Sequence, residues 1–119
     1  MPQDTIVTIE SILETALTAR PIELSATHTV SIGAVFHCDA TSGAFTVTLP
    51  SAGALVSSDN EARILVFIKT DSSANAVTIS RAGSDTINAA TTQALNAQYN
   101  YLIVIDSEAG GVWYIIGSG

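Results

Sequence analysis

Residues 69–87, KTDSSANAVTISRAGSDTI, gather the side chains most able to hold a ligand: Asp71, Ser72, Ser73, Asn75, Ser84, Asp85 and Thr86. Carboxylates, amides and hydroxyls in this density suit a calcium ion or a sugar. The spacing argues otherwise. The D-x-[DN]-x-[DN]-G pattern of a calcium loop is absent. Asp71 and Asn75 stand where Asx side chains close turns onto their own backbone. The expectation is that this stretch turns the chain between strands, and that Asp71→Ala or Asp85→Ala changes stability only modestly.

The remaining candidates weaken on the same inspection. His37, Cys38 and Asp39 are consecutive, but neighbouring residues of a strand point to opposite faces. Cys38 is expected to face the core with Phe36 and Ala40, away from His37. His28 and His37 could share a metal only from adjacent strands, with no second cysteine and no H-x-x-x-H to support it. No G-x-S-x-G elbow and no G-x-x-x-x-G-K loop occurs. Asp39, Asp59, Asp71, Asp85, Asp106 and Glu108 fall in expected turns or at strand ends, not as a facing pair for glycoside hydrolysis. Trp113, Tyr114, Tyr99 and Tyr101 could stack on a sugar, but in alternating strands such residues more often anchor a core or an interface. No catalytic residue, cofactor or metal is expected, and a small enzyme is the least favoured reading.

The elements that would position these residues divide the chain in two. Over residues 1–21, a helix is expected. Asp4 or Thr5 caps it, Ile6, Ile9, Leu13, Ala16 and Leu17 form a stripe, Glu10 and Glu14 lie opposite, and Pro21 stops it. The β-branched run Ile6–Ile9 leaves an extended arm as the alternative. One amphipathic stripe cannot bury itself, so it must dock on its own sheet, on a neighbouring subunit or on something larger. Residues 22–119 change to a period of two. THTVSI (27–32), AVFHCDA (34–40), FTVTLP (45–50), RILVFIKT (63–70), AVTIS (76–80), NYLIVID (100–106) and VWYIIGS (112–118) read as strands separated by TSGA, SSDNEA, DSSAN, AGSD and DSEAGG. No βαβ alternation and no repeat long enough for a solenoid is visible. The fold class is all-β: an antiparallel β-sandwich or small jelly-roll-like barrel with a short N-terminal helix or arm.

Composition limits the partners. Of the 119 residues, 13% are charged and 47% hydrophobic, and the formal charge is −7. An average domain carries roughly 25% charged residues. Such a chain either presents a bland Ser/Thr/Ala surface as a monomer or buries much of its surface against copies or a partner, and the second is favoured. Four scattered basic residues, Arg20, Arg63, Lys69 and Arg81, do not make a nucleic-acid footprint or an anionic-membrane patch. No apolar run approaches a transmembrane span, and the N-terminus lacks the basic region of a secretory signal. The lone Cys38 fits synthesis in a reducing cytoplasm.

HCDATSGAFTVTLPSAG, RILVFIKTDSSANAVTISRAGSDTI and QYNYLIVIDSEAGGVWYIIGSG, in that order, resemble a β-domain of tailed-bacteriophage virion proteins, found in fibres, head fibres and capsid decoration proteins. The carrying features are the D-A-T-S-G turn before a strand ending at Leu49–Pro50, the K-T-D-S-S-A-N-A-V-T-I hairpin, G-S-D-T-I at 83–87, and the closing strand around Trp113–Tyr114. They cover residues 34–119 and leave 1–25 outside. The resemblance implies a structural role and homotrimers, with nothing catalytic to transfer. A single β-domain with a short leader suits a decoration, or cement, protein on the capsid surface, bound to the major capsid protein lattice. A fibre or adhesin domain that holds a host receptor or glycan is the alternative. Ile6, Ile9, Leu13, Leu17, Trp113 and Tyr114 are the interface candidates.

Overall fold

A computed structural model of the chain describes residues 21–31, 35–53, 64–107 and 110–119. The expected N-terminal helix, with Ile6, Ile9, Leu13 and Leu17, lies outside the described residues, as do the SSDNEA loop and Glu108. Ten strands occur among the described residues: β1 (Ile22–Leu24), β2 (His28–Thr29), β3 (Val35–Cys38), β4 (Phe45–Thr48), β5 (Ile64–Lys69), β6 (Val77–Ser80), β7 (Thr86–Ile87), β8 (Thr92–Leu95), β9 (Tyr101–Asp106) and β10 (Val112–Ser118). They form two sheets, a six-stranded one ordered β1-β3-β5-β9-β10-β7 and a four-stranded one ordered β2-β4-β6-β8. The two pack as a sandwich, as the alternation predicts.

The pairing is mixed, which corrects the expectation of purely antiparallel sheets. From β1 to β8 the chain alternates strand by strand between the larger and the smaller sheet. Up to β6, successive visits to one sheet run the same way. β1, β3 and β5 pair in parallel, and so do β2, β4 and β6. Antiparallel pairing enters after β6, at β6–β8, β5–β9 and β9–β10, while β7 joins β10 in parallel. A hairpin reading of the sequence misses this, because from β1 to β9 each connection leads into the opposite sheet instead of back along its own.

Two successive windings match residue by residue. Val35-Phe36 stands in register with Val66-Phe67, and Phe45-Thr46-Val47-Thr48 with Val77-Thr78-Ile79-Ser80. Between them the turns also match. The Asp39 carboxylate accepts from the Thr41 amide at 2.9 Å and hydroxyl at 2.6 Å. The Asp71 carboxylate accepts from the Ser73 amide at 3.0 Å and from the Ser73 hydroxyl. A D-x-[ST] turn thus lies at both corners. The repeat is too short and too diverged to be seen without the register.

Inward residues form ladders. Phe36 and Phe67 stack with ring centroids 5.0 Å apart and planes 13° from parallel, within the range favoured by aromatic pairs. Val47, Leu49, Leu65, Val77, Ile79, Leu102, Val104 and Trp113 complete a core from which water is excluded. Each such apolar side chain stabilises the fold by about 1.5–3 kcal/mol through burial. The two outer faces differ. On the larger sheet, Val35, Val66 and Ile103 lie side by side, followed by Ile64 with Ile105 and by Ile68 with Tyr101. On the smaller sheet, Thr29, Thr48, Ser80 and Thr92 line one row, and Thr46, Thr78 and Ala94 another.

Candidate functional site

The chemistry-bearing stretch begins at the end of β5. In that strand Leu65 and Phe67 face the core, and the period of two sends Lys69 the same way. Its side chain is fully buried. The ammonium donates to Asp71 Oδ2 at 2.7 Å, to the Ser73 carbonyl at 2.8 Å and to the Asp71 carbonyl at 3.2 Å. With the Ser73 hydroxyl at 3.4 Å, four oxygens surround its three donors, which satisfies an ammonium withdrawn from water.

The partner carboxylate is equally occupied. Asp71 Oδ1 accepts from the Ala40 amide at 2.7 Å, and Oδ2 accepts from Lys69, the Ser73 amide and the Ser73 hydroxyl. Burial by itself raises the pKa of this group, but the bonds from Lys69, Ser73 and Ala40 outweigh it and hold the carboxyl well below its usual range. Asn75 Nδ2 donates to the Ala40 carbonyl at 2.9 Å. Asp71 therefore clasps the β3–β4 corner to the β5–β6 corner. A metal or sugar would have to displace a buried ammonium and backbone amides, so the residues answer as turn chemistry. The expected modest effect of Asp71→Ala needs correcting, since that change strands a buried charge.

Asp85 is a different case. Its Oδ2 accepts from the Ala52 amide at 2.8 Å, while Asp106 Oδ2 accepts from the Gly53 amide at 3.1 Å. Trp113 Nε1 donates to the Pro50 carbonyl at 3.0 Å. These three bonds fasten residues 50–53 to the far end of the sandwich. There Gly53 (φ +83°) passes so close to Gly110 that a Cβ on Gly53 would lie 3.0 Å from the Gly110 Cα, which leaves glycine as the fitting residue.

Other candidates are kept apart. His28 belongs to the smaller sheet and His37 to the larger, so they are not on neighbouring strands. His37 Nδ1 instead meets Glu23 Oε2 at 2.8 Å across β1–β3, in an exposed pair. Cys38 points inward and is fully buried with Phe36 and Ala40, as the alternation predicts. Burial, followed by the negative charge of Glu23, pushes its thiol up to about 12, the opposite of an activated nucleophile. Among the described residues no group of three or more His, Cys, Asp or Glu side chains could hold a metal ion. No helix among them is long and apolar enough to cross a membrane.

The aromatic candidates separate as well. Trp113, proposed as an interface residue, has no exposed surface and belongs to the core, because it shares the inward face with Ile115. Tyr114 is half exposed and Tyr99 two-thirds exposed. They do not converge with Trp113 into a platform. The clasp residue missed from sequence was Lys69, and its signal was its place two and four residues after Phe67 and Leu65.

No known family model matches the chain, and no curated protein sequence matches it.

Proposed function

We propose that the chain is a non-enzymatic structural subunit of a tailed-bacteriophage particle, a capsid decoration protein that binds the assembled head as a homotrimer. The supporting observation is a division of labour among its side chains. Lys69, Asp71, Ser73, Asn75 and Asp85 are taken up in holding corners and loops together, while one sheet presents an apolar outer face. A surface of that kind works by contact. The resemblance of residues 34–119 to virion β-domains supplies the class of partner, the major capsid protein lattice on the capsid surface, reached after synthesis in the host cytoplasm. Contact is assigned to the leader stripe (Ile6, Ile9, Leu13 and Leu17) and to Tyr114, with Trp113 withdrawn into the core.

The mechanism is mass action. A ligand that binds only the assembled lattice stabilises it by RT ln(1 + [L]/Kd). Three linked subunits engage three weak sites together and gain avidity. Native mass by light scattering, with co-sedimentation against expanded capsids, tests the proposal. A trimer that pellets with capsids is expected. A trimer that ignores capsids and binds cell surfaces would make it an adhesin, and a monomer that does neither would end the proposal.

A further inference from the structure

We infer that two copies of this chain pair through β8, edge to edge and antiparallel, so that their four-stranded sheets become one sheet of eight strands. Each sheet of the sandwich ends in two edge strands, and three of these four edges are closed or guarded. β7 is closed by its own turn, where the Ile87 and Ala90 amides each donate to the other's carbonyl. β1 follows Pro21 and carries Glu23, and β2 has only two residues. Proline, charge and shortness are devices that keep an edge from taking up another strand. β8 has none of them. Its residues are Thr-Gln-Ala-Leu, and no charged residue lies between Asp85 and Asp106.

The bonds to β6 decide which groups are left over. The Arg81 amide donates to the Thr91 carbonyl, and the register continues with Ile79 opposite Gln93 and Val77 opposite Leu95. Thr91, Gln93 and Leu95 are therefore the residues bonded to β6. The amides and carbonyls of Thr92 and Ala94 point away from the sheet, and no described residue bonds them. Beyond them the ladder is taken, since the Asn96 amide donates to the Asn100 side chain and the Ala90 amide to Ile87. The free groups fit one register with a second copy. Thr92 stands opposite Ala94 and Ala94 opposite Thr92, with four backbone bonds about a two-fold axis at Gln93. That register is self-complementary, which selects a second copy over a foreign strand. The side chains agree with it. The outer row Thr46, Thr78 and Ala94 would run on into Thr92, Ser80 and Thr48 of the second copy. The two Gln93 amides would face each other, each offering a donor and an acceptor. This contact is separate from the surface that joins a trimer and does not rest on the capsid reading. Its small area makes it weak in free solution, and it would strengthen wherever copies are held close together.

The test traps the pair covalently, so that a weak contact suffices. The full chain with Gln93→Cys is oxidised in air, and links between chains are read by mass. Opposed residues of such a pair have Cα atoms about 4.5 Å apart, within reach of a disulfide. Cys38 stays silent because it is buried. Thr91→Cys, whose two copies would stand about 14 Å apart along the strands, and Thr78→Cys on β6 are the controls. Gln93→Cys is expected to link chains severalfold faster than either control. Accessibility alone predicts the reverse order, since Gln93 is half-buried and Thr91 exposed. Equal rates, or no link at all, would overturn the inference. A second variant tests the ladder itself. Ala94→Pro, added to Gln93→Cys, removes an amide that the chain's own sheet does not use, and proline is tolerated at such an edge. Linking should fall to the control rate while the buried Trp113 keeps its native emission. An undiminished rate would overturn the inference. Should the proline disturb Trp113, the comparison of positions 93 and 91 decides by itself.

Discussion

The two outer faces of the sandwich have the same backbone and opposite surfaces. Along β4, β6 and β8 the outward positions are Thr46, Thr48, Thr78, Ser80, Thr92 and Ala94. Along β3, β5 and β9 the outward rows carry Val35, Ile64, Val66, Ile68, Ile103 and Ile105. Threonine keeps β-branching, and so suits a strand, while its hydroxyl keeps the surface wetted. Valine and isoleucine satisfy the strand and leave a surface that water disfavours. A charge-poor composition had suggested either a bland surface or a buried one. The chain has both, one on each sheet, so a global charge count describes neither face.

The comparison requires that both sheets form one body, so its largest test is the clasp that joins the two corners where the chain crosses from one sheet to the other. Lys69→Ala removes the cation that Asp71 faces inside the protein and is expected to cost about 3–5 kcal/mol, read as a lower denaturant midpoint. The same clasp sets an acid limit. Unfolded Asp71 takes up a proton near the ordinary value of 3.8, whereas the folded group resists until well below it. Its stabilising contribution is therefore complete above that value and is lost as the pH falls further. Thermal midpoints should hold steady from neutral pH to about pH 5 and then decline, and Asp71→Asn should flatten part of that decline.

Next in size is a charge placed on each face. Val66→Asp is expected to destabilise by about 1–3 kcal/mol and Thr78→Asp by no more than about 0.5 kcal/mol, measured by chemical unfolding. Equal effects would break the contrast between the faces. Asp85→Ala removes one acceptor from the Ala52 amide and should cost about 1 kcal/mol, which sharpens the difference between an ordinary tether and the Lys69–Asp71 clasp. The smallest effect is a gain. Asn88 and Ala89 both adopt positive φ, +47° and +69°, where β7 of one sheet hands over to β8 of the other. A two-residue turn of this kind prefers Asn-Gly, so Ala89→Gly should stabilise by up to about 1 kcal/mol, visible as a higher thermal midpoint.

Much of the sandwich could be read from residue alternation. FTVTLP placed Phe45, Val47 and Leu49 inward, VWYIIGS gave β10 at its full extent, and Cys38 faced the core. Three strands escaped. β1 and β7 are too short to show a period, and β8 buries only Leu95. The pairing escaped as well, because alternation within a strand says which face is inside but not which strand lies beside it. In the candidate site, turn chemistry was legible at Asp71, whereas the Asn75 side chain reaches across to the Ala40 carbonyl instead of closing a turn onto its own backbone. The buried Lys69 was not, because a lone lysine at a strand end usually points to water. Here the match of Cys38 with Lys69 across β3 and β5 puts the ammonium at an inward rung, where only the Asp71 turn can satisfy it.

The winding between sheets also governs how the chain can fold. A hairpin forms when neighbouring segments meet, but β3 must wait for β5 to be made, and β4 for β6. Each wait encloses a strand of the opposite sheet. Apart from the β9–β10 hairpin, the strands meet only across intervening segments, so most early contacts close long loops before they are rewarded. Topologies of this type fold over milliseconds to seconds. The same interleaving works in reverse once the protein is complete. Pulling one strand out disturbs both layers, so loss of structure should be all-or-none, with opening as slow as the assembly was difficult.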